Sequence, residues 1–160
     1  MFMKKIYKVF IEIPLGTKNN KFEKSPNGTG VVLDFVFKNL VWPFNYGEIE
    51  GTLGGDGDCL DAIIFSTKPL KQCSVVKCVA FGVLLTLDRG EVDDKILMVP
   101  VGDGLALKYK DIKNLSINER QMLKNLYKKI ARQKKKTIKI IGFKNKNFAE
   151  TLIQNSTRID

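Results

Sequence analysis

The run Asp56-Gly57-Asp58-Cys59-Leu60-Asp61 places three carboxylates within six positions, and no other segment restricts the fold as much. Like charges so close oppose joint ionisation, so the run must be held where a cation can neutralise it. Hard divalent ions such as Mg²⁺ and Mn²⁺ take oxygen ligands of this kind. The Gly54-Gly55 turn precedes the run and the apolar segment Ala62 to Phe65 follows it, which reads as a tight loop entering a buried strand. Two other readings compete. A solvated acidic turn is the simplest account of an isolated Asp-Gly-Asp. A calcium loop of the EF-hand type fails, because the sixth position from Asp56 is Asp61 where the sharp turn needs glycine.

Further carboxylates stand beside apolar runs. Asp88, Asp93 and Asp94 cluster with Lys95 between Val79 to Leu87 and Ile96 to Val101, the pattern of a strand, a charged loop and a return strand. Glu12 lies inside Val9-Phe10-Ile11-Glu12-Ile13-Pro14. A carboxylate among apolar neighbours is costly to bury unless it is paired, protonated or bound to a cation. The alternative for Glu12 is the solvent face of a strand, shared by period two with Phe10 and Pro14. Lys21-Phe22-Glu23 alternates in the same way. Several acidic positions, each next to an apolar strand, point to one shared cavity.

A chain of 160 residues is one domain of ordinary size, here spanning 1–160. No run approaches the roughly 18–20 apolar residues of a membrane span, and Met1 to Lys5 lacks the apolar stretch of a signal peptide. Cys59, Cys73 and Cys78 are odd in number and form no Cys-x-x-Cys pair, and histidine is absent, which argues against a zinc site. Reduced cysteines and a cytoplasmic location are expected. The net charge is +10, and the stretch from Arg120 to Lys146 contains no acid at all. That stretch reads as a solvated helix face with a basic loop, or as a surface that attracts polyanions, nucleic acid included.

Strands are predicted at Tyr7 to Ile13, Val31 to Phe37, Ala62 to Phe65, Ser74 to Leu87, Ile96 to Val101 and Thr137 to Phe143, and their short connections favour antiparallel pairing. A helix is predicted from Ile117 to about Arg132, with Ser116 and Glu119 as a capping box and Met122, Leu123, Leu126, Tyr127 and Ile130 as its apolar face. A short second helix is predicted over Phe148 to Ile153. The expected fold class is mainly β with flanking helices (α+β), a small closed antiparallel β-barrel of OB-like form with one long and one short helix.

These segments resemble the soluble family I inorganic pyrophosphatases. The family signature Asp-x-Asp-x-x-Asp is matched by Asp56, Asp58 and Asp61, its Ile-Glu-Ile-Pro strand by Ile11 to Pro14, and its Lys-aromatic-Glu by Lys21-Phe22-Glu23. Pro-x-Asn-Tyr-Gly is Pro43 to Gly47, the second acidic loop is Asp88, Asp93 and Lys95, and a late Tyr-Lys pair is Tyr127-Lys128. The resemblance implies hydrolysis of pyrophosphate to two phosphates by a water that several Mg²⁺ ions activate, Mn²⁺ or another hard divalent ion being a possible substitute. It implies Asp56, Asp61, Asp88, Asp93 and Glu12 as metal ligands and Asp58 as the general base. It implies Lys21, Lys95 and Lys128, with Tyr46 and Tyr127, as phosphate contacts, and Glu23 as the group that orients water or the neighbouring lysine. It also implies a homo-oligomer, commonly a hexamer, in which Met122 and Leu126 stand on the helix where interface histidines often sit.

Two positions depart from the family. Asp34 falls where an arginine normally grips a phosphate, and Trp42 where a tyrosine precedes the proline of the Pro-x-Asn-Tyr-Gly segment. Loss of a bidentate donor and gain of a negative charge should weaken substrate binding, with Lys38 as the nearby cation to compensate. The alternative function is a catalytically impaired barrel of this type that binds nucleic acid or another polyanion through the basic region, and Asp34 and the Arg120 to Lys146 run are its support.

Overall fold

Period-two alternation of apolar side chains turns most of the chain into strands. The computed structural model describes residues 4–54 and 57–158. Nine strands are present among them: β1 (Tyr7–Ile13), β2 (Lys18–Lys24), β3 (Val31–Val41), β4 (Asn45–Ile49), β5 (Asp61–Ile64), β6 (Val75–Asp88), β7 (Glu91–Val92), β8 (Lys95–Pro100) and β9 (Ile138–Lys144). Helix α1 covers Ile117–Lys134 and α2 covers Lys146–Ser156, and two short 3₁₀ turns, Gly104–Leu107 and Ile112–Asn114, precede α1.

Strands β1, β4, β5, β8 and β6 pair in that order, and β6 returns to β1, so hydrogen bonds close the five into a ring. Strands β7 and β9 join β6 outside the ring, and β2–β3 forms a separate hairpin. The expected class, mainly β with flanking helices around a small closed sheet, describes this arrangement. The antiparallel expectation holds for every described strand pair except β5–β8, which is parallel with Asp61 opposite Lys95. That exception matters for the site, because it sets the first residues of two strands side by side.

Alternate residues of the ring feed two apolar clusters. One gathers Ile63, Phe65, Leu97 and Val99 with Trp42, Phe44 and the α1 residues Leu123, Leu126, Tyr127 and Ile130. The other gathers Ala62, Ile64, Ile96 and Met98 with Ala149 and Ile153 of α2. Burying each large α1 side chain contributes about 1.5–3 kcal/mol, enough to dock the helix. The start of α1 is fixed by a reciprocal cap: Glu119 N donates to Ser116 Oγ at 3.1 Å and Ser116 N donates to Glu119 Oε1 at 3.0 Å. Leu126, expected on the apolar face of this helix, is 7% exposed and packs into this core.

Three strands escape the sequence patterns. Strand β2 has Phe22 as its one apolar residue and Asn19 at φ 62°, β4 carries Asn45 and Gly47, which have low strand propensity, and β7 is only two residues long. Gly47 is required by contact: a Cβ there would lie 2.0 Å from the Phe10 carbonyl oxygen of the paired strand. No described helix is long and apolar enough to cross a membrane.

Candidate active site

The ends of these elements converge on a cavity of about 540 Å³. Strand β1 contributes Glu12. From Val9 to Ile13 this strand is covered on both faces, so Glu12, like Phe10 on the same side, is buried, at 5% exposed, and the β1–β4 register shifts beside it between Ile11 and Ile13. The Lys24 backbone N–H donates to its Oε2 at 2.7 Å. Burial, reinforced by the nearby Asp61 and Glu48 carboxylates, pushes its pKa up to about 8 against the opposing pull of the Lys24 N–H and Lys21.

The parallel β5–β8 pair builds the centre. Lys95, 4% exposed, donates to Asp61 Oδ2 at 2.7 Å and Asp93 Oδ2 at 2.8 Å. Burial alone would depress the Lys95 ammonium, but Asp61, the Tyr127 phenol and Asp93 outweigh it and hold its pKa above the ordinary lysine value. Burial and the neighbouring Asp61 raise Asp93, against the pull of Lys95. The loop carrying Asp93 is pinned to β6, since Asp93 N donates to Thr86 O at 3.0 Å and Thr86 N donates to Asp94 Oδ1 at 3.1 Å. The Lys95 ammonium lies 5.6 Å from the Tyr46 ring centroid and 5.9 Å from that of Tyr127. The buried Tyr127 hydroxyl lies beside the Tyr46 phenol but makes no well-formed hydrogen bond among the described residues.

Other carboxylates of the site region are paired with lysines. Asp34 Oδ2 takes Lys21 Nζ at 2.9 Å and Lys134 Nζ at 3.2 Å. Partial burial would raise Asp34, but the two lysines, Lys21 first, hold it below the usual carboxylate range. Asp88 takes Lys136 Nζ at 2.6 Å and Arg89 Nε at 3.4 Å and is likewise held low against partial burial. Trp42 is fully buried, and its indole N–H donates to the Asn20 carbonyl at 2.9 Å, so it braces the hairpin below Tyr46.

Of the residues expected at the site, Glu12, Lys21, Glu23, Tyr46, Asp58, Asp61, Asp88, Asp93, Lys95 and Tyr127 line this cavity. Asp56 lies outside the described residues. Lys128 is exposed on α1 and is not among the residues that line the cavity. Its place next to Tyr127 in sequence turns it about 100° round the helix, away from the face that Tyr127 shows to the cavity. Lys38 does not line it either; its backbone is tied to Gln133. Sequence reasoning missed Lys24, Glu48, Lys134 and Lys136, which also line it. Lys134 and Lys136 were read as part of a solvated run, and only their spacing of two across the end of α1 hinted otherwise.

The donor set suits a hard divalent cation. Every acidic candidate offers carboxylate oxygen, and the crowding that raises Glu12 and Asp93 is relieved by added positive charge. Among the described residues no three acidic or thiol groups cage an ion unaided. Mg²⁺ does not require a cage, since it keeps several waters and uses one or two carboxylates together with substrate phosphates.

A family model described as inorganic pyrophosphatase matches residues 9–159. The chain is 35% identical to an inorganic pyrophosphatase of Rickettsia bellii over 153 residues, covering 91% of this chain and 86% of that one. Among solved structures, the inorganic pyrophosphatase of Helicobacter pylori superposes with a TM-score of 0.87 at 29% identity, covering 97% of this chain and 95% of that one. That of Thermus thermophilus superposes with a TM-score of 0.85 at 29% identity, covering 94% and 88%.

Proposed function

Because the chain belongs to the inorganic pyrophosphatase family, we propose that it hydrolyses inorganic pyrophosphate to two phosphates. The observation that carries this reading is one cavity in which Asp58, Asp61, Asp88 and Asp93 face Lys21 and Lys95. Divalent cations, Mg²⁺ first, supply when bound the Lewis-acid charge that neutralises phosphate oxygens and eases deprotonation of water. Asp61, Asp93, Asp88 and Glu12, with Asp56, would hold them.

The chain's own groups divide the remaining work. Asp58 accepts the proton of the attacking water, a role that needs a carboxylate at the cavity mouth within reach of that water. Lys21 and Lys95 donate to phosphate oxygens and offset the charge that grows on the departing phosphate. The buried Tyr127 hydroxyl and the adjacent Tyr46 phenol donate to the same oxygens. Glu23 lies on the rim, where it orients water or Lys21. A cytoplasmic setting and a homo-oligomer, a hexamer by resemblance, belong to the same proposal.

The nucleic-acid alternative loses its support. Asp34 is neutralised by Lys21 and Lys134, Lys136 is engaged by Asp88, and the Arg120 guanidinium donates to the carbonyls of Leu115 at 3.1 Å and Ile112 at 2.8 Å. The test is phosphate release from pyrophosphate with and without Mg²⁺. The wild type releases phosphate only with Mg²⁺, and Asp58→Asn lowers kcat roughly 10²–10⁴-fold, the range for a lost general base. Wild-type protein that is folded, metal-loaded and silent would sink the reading.

A further inference from the structure

We infer that Lys134 is a phosphate-binding residue of this cavity and that Asp34 is the positioning residue that holds it beside Lys21. The inference rests on the pyrophosphatase reading for its substrate, but its geometry stands apart from that reading. Lys134 and Lys21 line the cavity, whereas the carboxylate on which both rest does not. A single oxygen, Asp34 Oδ2, receives both ammonium groups, at 2.9 and 3.2 Å. Two cations on one anion leave a net positive charge, and each ammonium has further N–H donors to offer an incoming anion.

The placement of Lys134 is built rather than incidental. The last turn of α1 is fastened to β3 by the neighbouring side chain: Lys38 N donates to Gln133 Oε1 at 2.7 Å and Gln133 Nε2 donates to Lys38 O at 2.8 Å. Lys129 Nζ also donates to the Asn39 carbonyl. The aliphatic stem of Lys134 is mostly covered, its side chain being 18% exposed, and its ammonium sits 5.5 Å from the Phe35 ring centroid. Lys135 then takes the left-handed conformation, φ 53° and ψ 48°, which ends the helix and returns Lys136 to the same cavity. Burial first, with repulsion from Lys21 and Lys136, lowers the Lys134 pKa although Asp34 opposes it, so this ammonium gains from any further anion at the cavity mouth. Asp34 therefore gathers cations for the substrate instead of repelling it, and the charge that the family's arginine brings from β3 arrives here from the end of α1.

The experiment measures steady-state kinetics with Mg²⁺ and pyrophosphate, together with calorimetric titration of inorganic phosphate into the Mg²⁺-loaded protein. Lys134→Met raises KM and the phosphate Kd roughly tenfold or more, the cost of a lost charged hydrogen bond, while kcat stays within about twofold. Lys134→Arg keeps both constants within about threefold, since the charge and donors remain. Asp34→Asn weakens phosphate in the wild-type background and adds nothing to Lys134→Met, the coupling expected of residues that act together. Asp34→Arg alone fails to improve KM, because it sets a third cation against Lys21 and Lys134, but it restores affinity to Lys134→Met. A Lys134→Met protein whose KM and phosphate Kd both match the wild type overturns the inference, as does a lower KM for Asp34→Arg alone. Should the wild type release no phosphate from pyrophosphate, the functional reading fails, and the phosphate titration still decides for or against Lys134.

Discussion

The two walls of the cavity are inverse images. On the acidic wall one lysine, Lys95, serves two carboxylates, Asp61 and Asp93. On the basic wall one carboxylate, Asp34, serves two lysines, Lys21 and Lys134. Each triad keeps one unbalanced charge, negative on one side and positive on the other. A divalent cation and a polyanion complete them together, which is the composition of a metal pyrophosphate. The lysines differ in depth, although the carboxylates do not. The Lys95 side chain is 5% exposed, whereas Lys21 and Lys134 are at 23% and 18%; Asp61 and Asp93 are at 23% and 20%, close to Asp34 at 24%. Charge in the first triad is set by the closed ring and carries a large energetic stake, while charge in the second is held by a hairpin and a helix end near solvent.

Removing the deep lysine is the strongest way to test that difference. Lys95→Met leaves Asp61 and Asp93 facing each other without their cation, and breaking a buried pair costs about 3–5 kcal/mol. Urea unfolding in the presence of a chelator should show that loss, and adding Mg²⁺ should restore part of it by replacing the missing positive charge. A loss near the surface value of about 1 kcal/mol or less would erase the distinction between the walls.

The same contrast explains what could be read from the sequence. The acidic wall was legible because its residues sit where apolar runs begin or end: Asp61 opens β5, Lys95 opens β8 and Asp88 closes β6. Local spacing was enough to nominate them. Glu12 was harder, since alternation alone allowed the solvent face, whereas the fold covers β1 on both faces from Val9 to Ile13. The parallel pairing of β5 with β8 left no local mark, because parallel register depends on partners far apart in the chain. The basic wall was least legible. Lys134 meets Asp34 across 100 positions, and nothing in a run of similar lysines marks which of them faces inward.

Tyr127 stands between the walls and gives a smaller, two-signed test. Its hydroxyl is buried beside the Tyr46 phenol without a well-formed hydrogen bond, and a poorly satisfied group of this kind costs up to about 1–3 kcal/mol. Tyr127→Phe should therefore unfold at the same or higher urea concentration than the wild type, by up to about 1 kcal/mol. The same change should raise KM for pyrophosphate several-fold, since the hydroxyl donates to bound phosphate. A variant that loses stability would mean the hydroxyl already has a partner in the free protein, and the division of the cavity into two separately completed triads would need redrawing.

The smallest expected effect lies on the basic wall and is read by pH. Lys21 and Lys134 hold the folded-state pKa of Asp34 below its ordinary value of 3.8. A carboxyl depressed in this way adds stability above its unfolded pKa and loses it as pH falls through the lower folded value. The wild type should thus exceed Asp34→Asn in stability at neutral pH, and the two should converge as acid protonates Asp34 below about pH 4. Because the pairs are partly exposed, the neutral-pH gap should be about 1 kcal/mol or less and should shrink in high salt. Salt should leave more of the Lys95→Met loss in place, since screening reaches the buried Lys95 ammonium less than the partly exposed Lys21 and Lys134. Equal salt sensitivity in the two variants would show that both triads share one dielectric environment, and the cavity would then be a single electrostatic unit and not two opposed walls.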